Sequence, residues 1–129
     1  HEQLDLATTA REAGLSALLG ELCDDPQIDA VITTGGTGLT PGDRTPEATL
    51  AVCEYVVPGI GEAIRSASVP TVAHAMLSRG VAGIRAATLI VNLPGSPGGA
   101  ADGWGVIAPV ITHAVSQIRG GDHPRPAAD

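Results

Sequence analysis

Residues 28–38 read IDAVITTGGTG, a short apolar run that leads directly into a glycine-rich loop. An uninterrupted apolar run of this length is typical of a strand buried in a parallel sheet. Residues 87–99 read ATLIVNLPGSPGG and repeat the pattern, with an apolar run followed by a loop that prolines make rigid. Ligands of α/β sheets bind beyond the carboxyl ends of the strands. The two stretches therefore predict two loops at one sheet edge, where both can contact the same ligand.

Helical patterns accompany these two strands. Leucines at helical spacing predict a helix over residues 11–22. A second helix is expected from Thr45, which supplies a capping hydroxyl before a proline, to about Tyr55. A third is expected over 60–68, with Ile64 facing inward, and a fourth over 104–118, where Pro109 should kink or divide it.

Together these elements predict an α/β fold, a three-layer α/β/α sandwich with a mostly parallel sheet. The length of 129 residues fits a single domain, and the core must be aliphatic because only Tyr55 and Trp104 are aromatic. Residues 69–75 are ambiguous, and 71–73 could form a strand. Residues 120–129 read as a flexible tail with little to bury.

The charge balance excludes several classes of chemistry. The chain has 14 Asp and Glu against 7 basic side chains, all of which are arginine. Without lysine there is no Walker A phosphate loop and no Schiff base. The acidic excess argues against a nucleic-acid or membrane-surface partner. Any phosphate must therefore be bound by backbone amides, arginine or a metal.

The two cysteines indicate the cellular setting. Cys23 and Cys53 stand thirty positions apart in a pattern that suggests neither a zinc site nor a disulfide framework. A reducing, cytoplasmic setting is the default for such a chain. No apolar run approaches the roughly 20 residues that span a bilayer.

The glycine loop is the first candidate site. Successive amides at 35–38, with threonine hydroxyls beside them, can form a nest for an anion, although a tight strand-to-helix turn would look the same. Asp43 follows at a short distance, and an acid beside a phosphate is tolerated when Mg²⁺ lies between them. Asp43 could equally cap the next helix. Arg79 and Arg44 are candidate anion ligands, and a surface ion pair would explain Arg44 as well.

The second loop gives weaker signals. Asn92 ends the second strand and offers both a donor and an acceptor, which suits a pterin or purine edge. The alternative is a rigid turn in which Asn92 satisfies loop carbonyls. Glu62, Ser68 and Ser78 are polar residues among apolar ones, and each taken singly is better explained as structural.

Five motifs follow one another in a fixed order: TTGGTG at 33–38, GDRTPEATLAV at 42–52, PGIGEAIR at 58–65, LSRGVAGIR at 77–85 and LIVNLPGSPGG at 89–99. In these motifs the chain resembles the molybdopterin-binding family of molybdenum cofactor biosynthesis, in its adenylyltransferase branch. The resemblance runs from about Asp29 to His123. Several ordered motifs are far more specific than one glycine loop.

The resemblance implies transfer of AMP from Mg-ATP to the terminal phosphate of molybdopterin. It implies that Asp43 is catalytic and holds Mg²⁺, and that Glu62 and Pro97 lie near the nucleotide. The residues it implies for phosphate and molybdopterin are Thr34, Gly35, Gly36, Thr37, Gly38, Ser68, Ser78, Arg79, Asn92, Pro94, Gly95 and Ser96. It also implies a homotrimer or hexamer, with the molybdate-insertion enzyme as a further partner.

The chain departs from the family at its front. Family members begin with a strand, a helix and a strand that the first 28 residues are too few to supply. A second family acid has only Asp5 as a weak match. Two other functions therefore stay open at this point: a non-catalytic, oligomeric molybdopterin carrier, and a structural trimer without a working site.

Overall fold

The computed structural model describes residues 6–120, so Asp5, the weak match to the second family acid, and the predicted tail from 121 onward lie outside the described residues. The elements in chain order are α1 (Leu6–Asp24), β1 (Ala30–Thr34), α2 (Thr45–Val52), β2 (Tyr55–Val56), α3 (Pro58–Ser68), a 3-10 helix (Ala73–Leu77), β3 (Ala82–Arg85), β4 (Thr88–Leu93) and α4 (Pro97–Ile118).

The sheet has the strand order β1-β4-β3-β2. β1 and β4, the two strands predicted from sequence, are parallel neighbours, with Ala30 opposite Leu89. β3 pairs antiparallel with both β4 and β2. The α/β class is confirmed, but the described strands form a mixed sheet rather than a mostly parallel one. Only two residues join β3 to β4, with Ala86 at φ 52°, and so short a connection allows only a hairpin.

Helices cover both faces of the sheet, which gives the expected three layers. All six residues of β4 are buried, and successive side chains point to opposite faces. Val91 joins a cluster that holds Ile64 of α3 and Ile107 of α4. Ile90 joins the opposite cluster with Leu19 of α1. The core is aliphatic, as the composition requires.

Several predicted elements need correction. α2 ends at Val52 and not near Tyr55, because Tyr55–Val56 forms a short strand that pairs with Ile84 and Gly83 of β3. The possible strand at 71–73 is wrong, since turns close on Ser68 and lead into the 3-10 helix. β3 was not predicted at all. α4 runs as one helix through Pro109 and begins before the predicted start.

The predicted helix over 11–22 lies within the longer α1, and the predicted burial of Ile64 in α3 is confirmed. No helix within residues 6–120 is long and apolar enough to cross a membrane.

Candidate functional site

The two glycine loops meet where β1 and β4 end. The Gly35 amide donates to the Leu93 carbonyl at 3.0 Å. A Cβ atom on Gly95 would come within 3.0 Å of the Gly35 Cα, so the backbones are in direct contact. The prediction that both loops lie at one sheet edge is therefore confirmed, and its cause is the parallel pairing of the two strands.

A cavity of about 1140 Å³ opens over these loops. Its walls come from both loops, the segment 39–43, one face of α3, the 3-10 helix and the start of α4. Of the residues predicted for the site, ten line it: Gly35, Gly36, Thr37, Gly38, Asp43, Ser68, Ser78, Pro94, Gly95 and Ser96.

The first loop presents unused backbone donors. Gly35 and Gly36 have φ of 88° and 69°, a region that favours glycine. The amides of Gly36, Thr37 and Gly38 have no acceptor among the described residues. Successive free amides in such a turn bind anions. Thr45 does not cap α2, because it is the first helical residue and Arg44 holds the N-cap position. The Thr45 hydroxyl lies beside Gly36, where a Cβ would collide with it.

Asp43 is held by its own loop. Its Oδ2 accepts from the Thr40 amide at 3.3 Å and from the Thr40 hydroxyl, and its amide donates to the Thr40 carbonyl at 2.9 Å. The alternative role as a helix cap is not observed, since α2 has Arg44 at its N-cap and no side-chain capping bond. The half-buried carboxylate lines the cavity.

Arg79 lies outside the cavity lining and braces the loop instead. Its Nε donates to the Gly38 carbonyl at 2.9 Å, and Nη2 donates to the Asp43 carbonyl at 2.5 Å. Its Nη1 donates to the Glu47 carboxylate at 2.6 Å. The geometry therefore makes Arg79 a support of the backbone that carries Asp43, rather than the anion ligand predicted from sequence.

An ion-pair chain extends from this brace. Glu47 also lies 3.4 Å from Arg44, which in turn donates to Glu12 at 2.8 Å. Arg44 therefore forms the ion pair that was the alternative to its predicted role as an anion ligand. Partial burial by itself raises the pKa of Glu47, but the hydrogen bonds from Arg79 and the backbone and the charges of Arg79 and Arg44 outweigh it and leave that pKa below its usual value.

Asn92 does not face the cavity. It is 2% exposed, and its amide nitrogen donates to the hydroxyls of Thr33 and Thr49 at 3.0 Å each. Its Oδ1 accepts from the Val81 amide at 3.2 Å. These bonds tie β4 to β1, to α2 and to the start of β3. They match the alternative in which Asn92 satisfies its own loop and strand partners, and a contact with a ligand stays a prediction.

Three further predicted residues lie outside the cavity lining. Glu62 is exposed on α3 and lines a separate, smaller hollow with Met76. Thr34, the last residue of β1, is exposed, and Pro97 is the first residue of α4. Their roles stay predictions.

Two charged residues of the cavity were missed from sequence. Arg65 on α3, three positions before Ser68, lies between this cavity and the smaller hollow beside Glu62 and lines both. Asp102 lines it from α4 and accepts a hydrogen bond from the Ser68 hydroxyl at 3.3 Å. The spacing of Arg65 from Ser68 was a usable signal, whereas Asp102 lies in a segment without a motif.

Comparison with known proteins gives one family. Residues 10–113 match the model described as a probable molybdopterin binding domain. Molybdopterin adenylyltransferase of Helicobacter pylori strain J99 is 46% identical over 100 residues, which is 78% of this chain and 57% of that protein. The protein of the same name from Escherichia coli K12 is 48% identical over 86 residues, 67% of this chain and 44% of that one. The chain thus spans about half the length of these relatives.

Solved structures agree with the fold. The molybdopterin biosynthesis Mog protein from Mycobacterium ulcerans superposes with a TM-score of 0.80 at 50% identity, covering 83% of this chain and 69% of that one. Molybdenum cofactor biosynthesis protein B superposes with a TM-score of 0.79 at 28% identity, covering 84% and 70%.

Proposed function

The chain belongs to the family of molybdopterin-binding domains, and from that premise we propose that it acts as a molybdopterin adenylyltransferase. It would bind molybdopterin and Mg-ATP and transfer AMP to the terminal phosphate of the pterin. The relatives that carry this name are 46–48% identical over the matched residues.

The observation that carries the proposal is that one cavity spans both glycine loops. Its volume of about 1140 Å³ slightly exceeds the roughly 300–1,000 Å³ of ordinary small-molecule sites. A site that joins two phosphorylated substrates needs that room. The free amides at 36–38 supply the oriented dipoles that a lysine-free chain needs to bind phosphate.

The donor set suits Mg²⁺ brought in by a nucleotide. The described part of the chain has no cluster of three or more His, Cys, Asp or Glu side chains that could hold a metal by itself. Mg²⁺ is commonly bound through one or two carboxylates together with substrate phosphates and water. Asp43 fits this role, because its Oδ1 has no partner among the described residues and the residue lines the cavity. When bound, the ion would neutralise phosphate charge.

The chain's own contribution to the reaction is positioning. An oxygen of the pterin phosphate would form a bond to the α-phosphorus of ATP while the bond from that phosphorus to the bridging oxygen breaks, and pyrophosphate would leave. The nucleophile is already an anion, so no residue needs to remove a proton. Asp43 would orient the charged groups, and the loop amides would stabilise the charge that develops on the phosphoryl oxygens.

The setting and assembly are further parts of the proposal. We place the protein in the cytoplasm, which suits the free Cys23 and Cys53. We also propose the homotrimer that the family resemblance implies, and sedimentation equilibrium of the full-length protein tests it by mass.

Asp43→Asn tests the activity. The change keeps the size of the side chain but removes the charge that would hold Mg²⁺, so we expect adenylyl-molybdopterin formation to fall about 10²-fold or more. The assay separates the product by chromatography at a series of Mg²⁺ concentrations. Asp24→Asn is the matched control, because it removes the same charge from the exposed end of α1 and should keep full activity.

Full-rate turnover by Asp43→Asn would refute the catalytic role. Calorimetric titration of the unaltered protein separates the enzyme from the carrier. A carrier would bind molybdopterin and show no heat with Mg-ATP, whereas the proposed enzyme should bind both.

A further inference from the structure

One arginine lines the cavity, together with the imidazole of His74. Of the six arginines in residues 6–120, only Arg65 lines the cavity. Two carboxylates, Asp43 and Asp102, line it as well. A phosphorylated ligand that enters the cavity would be repelled by these two carboxylates unless a cation offsets their charge.

Arg65 is fixed in place by backbone carbonyls. Its Nη1 donates to the Gly80 carbonyl at 3.0 Å and to the Ser78 carbonyl at 3.4 Å. The guanidinium lies over Gly61, one helical turn earlier, where a Cβ would come within 3.4 Å of Nη1 and Nη2 and 2.9 Å of the Gly80 oxygen. Glycine at 61 thus leaves the space that the guanidinium and the carbonyl occupy.

The remaining donors of Arg65 are unused. No carboxylate of the described residues lies within ion-pair distance of the Arg65 guanidinium. Arg44, Arg79 and Arg119, in contrast, are each paired with a carboxylate. Nε and Nη2 have no acceptor among residues 6–120, and neither is a buried unsatisfied atom, so both are open to solvent. Carbonyl contacts orient the guanidinium without neutralising it.

We infer that Arg65 binds a phosphate group of the ligand in this cavity through Nε and Nη2. A guanidinium whose third nitrogen is already anchored presents a planar pair of donors that matches two phosphate oxygens. The inference rests on the proposed function for the identity of the ligand, but the site itself requires only a phosphate. That phosphate can be the terminal group of molybdopterin or part of the nucleotide polyphosphate.

Arg65→Gln and Arg65→Lys test the inference, with Arg119→Gln as the control that removes the same charge outside the cavity. Dissociation constants are measured for inorganic pyrophosphate, ATP, adenosine and molybdopterin, all with Mg²⁺. We expect Arg65→Gln to weaken binding of the contacted phosphate ligand by about 10- to 100-fold. Adenosine, which has no phosphate, should bind unchanged, and thermal unfolding reports the fold of each variant.

The pattern of losses identifies the source of the phosphate. Weaker ATP and pyrophosphate binding points to the nucleotide, and weaker molybdopterin binding alone points to the pterin. If Arg65→Gln does not fold, Arg65→Lys carries the test, because it keeps the charge, loses the paired donors and should still bind about tenfold less tightly.

Several results would overturn the inference. They are unchanged binding of every phosphate ligand in a folded variant, an equal loss of adenosine binding, or no phosphate binding by the unaltered protein. The proposed function is judged separately by product formation. A protein that binds pyrophosphate through Arg65 but transfers no AMP would refute the transferase proposal and support the role of Arg65.

Discussion

Asn92→Ala should destabilise the fold without a direct effect on ligand binding. Asn92 holds three hydrogen bonds, to Thr33, Thr49 and the Val81 amide, from a position that is 2% exposed. Truncation leaves the Val81 amide without its acceptor, which costs about 1–3 kcal/mol. The two hydroxyls lose a donor each, at about 0.5–1.5 kcal/mol per bond before they reorient.

The contributions sum to about 2–6 kcal/mol, and reorientation of the two hydroxyls brings the expected loss in the free energy of unfolding to about 2–4 kcal/mol. That is a large share of the roughly 5–15 kcal/mol that holds a domain together. Urea unfolding followed by circular dichroism measures it. Thr49→Val is the graded control, because it keeps the volume and removes one of the three bonds, and it should cost about 1 kcal/mol.

If Asn92→Ala loses less than about 1 kcal/mol and instead weakens molybdopterin binding in a folded protein, Asn92 is a ligand residue and its hydrogen bonds are not what holds the strands. A loss for the double variant with Thr49→Val that equals the sum of the single losses would show that the bond between the two side chains contributes nothing.

Two further predictions concern stability. Because the pKa of Glu47 is lowered in the folded state, its stabilising effect is present above the unfolded pKa of about 4.3 and is lost as the pH falls through the folded value. Glu47→Gln should therefore lose less stability than the unaltered protein between about pH 5 and pH 3, and parallel urea midpoints over that range would contradict this. Gly83→Ala should cost about 1–3 kcal/mol, since the new Cβ would lie 2.6 Å from the Cys53 sulfur and 2.8 Å from the Tyr55 carbonyl. Gly59→Ala, where a Cβ meets nothing within 4 Å, is its control, and equal thermal midpoints for the two variants would refute the argument.

The loops that directly follow the two parallel strands could be predicted from the sequence. Gly35 and Gly36 directly follow β1, and a strand that ends in glycines predicts a tight loop beyond its carboxyl end. Asp43 lies in the same connection, although β1 itself is a half-buried edge strand of the described sheet and not the fully buried one that was expected. The same reasoning placed the loop at 94–96 beside them, because parallel pairing aligns the ends of the two strands.

The roles of the polar side chains could not be predicted in the same way. Arg79 and Asn92 lie in motifs that suggested a ligand. In the structure Arg79 donates instead to Glu47, and Asn92 donates to Thr49, both of which are distant in sequence. Arg65 ends the PGIGEAIR motif but was not predicted as a ligand, yet it lines the cavity and keeps unused donors. The partner of each side-chain donor depends on helices and strands that come together only in the folded protein. The spacing of residues within one motif therefore does not predict that partner.

The sequence by itself therefore determined the α/β class, the aliphatic core, the two loops at one edge and the need to bind phosphate without lysine. Those properties follow from periodicity, composition and backbone chemistry, which act over a few neighbouring residues. The tertiary structure alone decided that the sheet is mixed, that Arg79 supports the loop and that Arg65 faces the cavity. Each of these depends on which distant segments lie side by side, and that is fixed only by the packing of the whole chain.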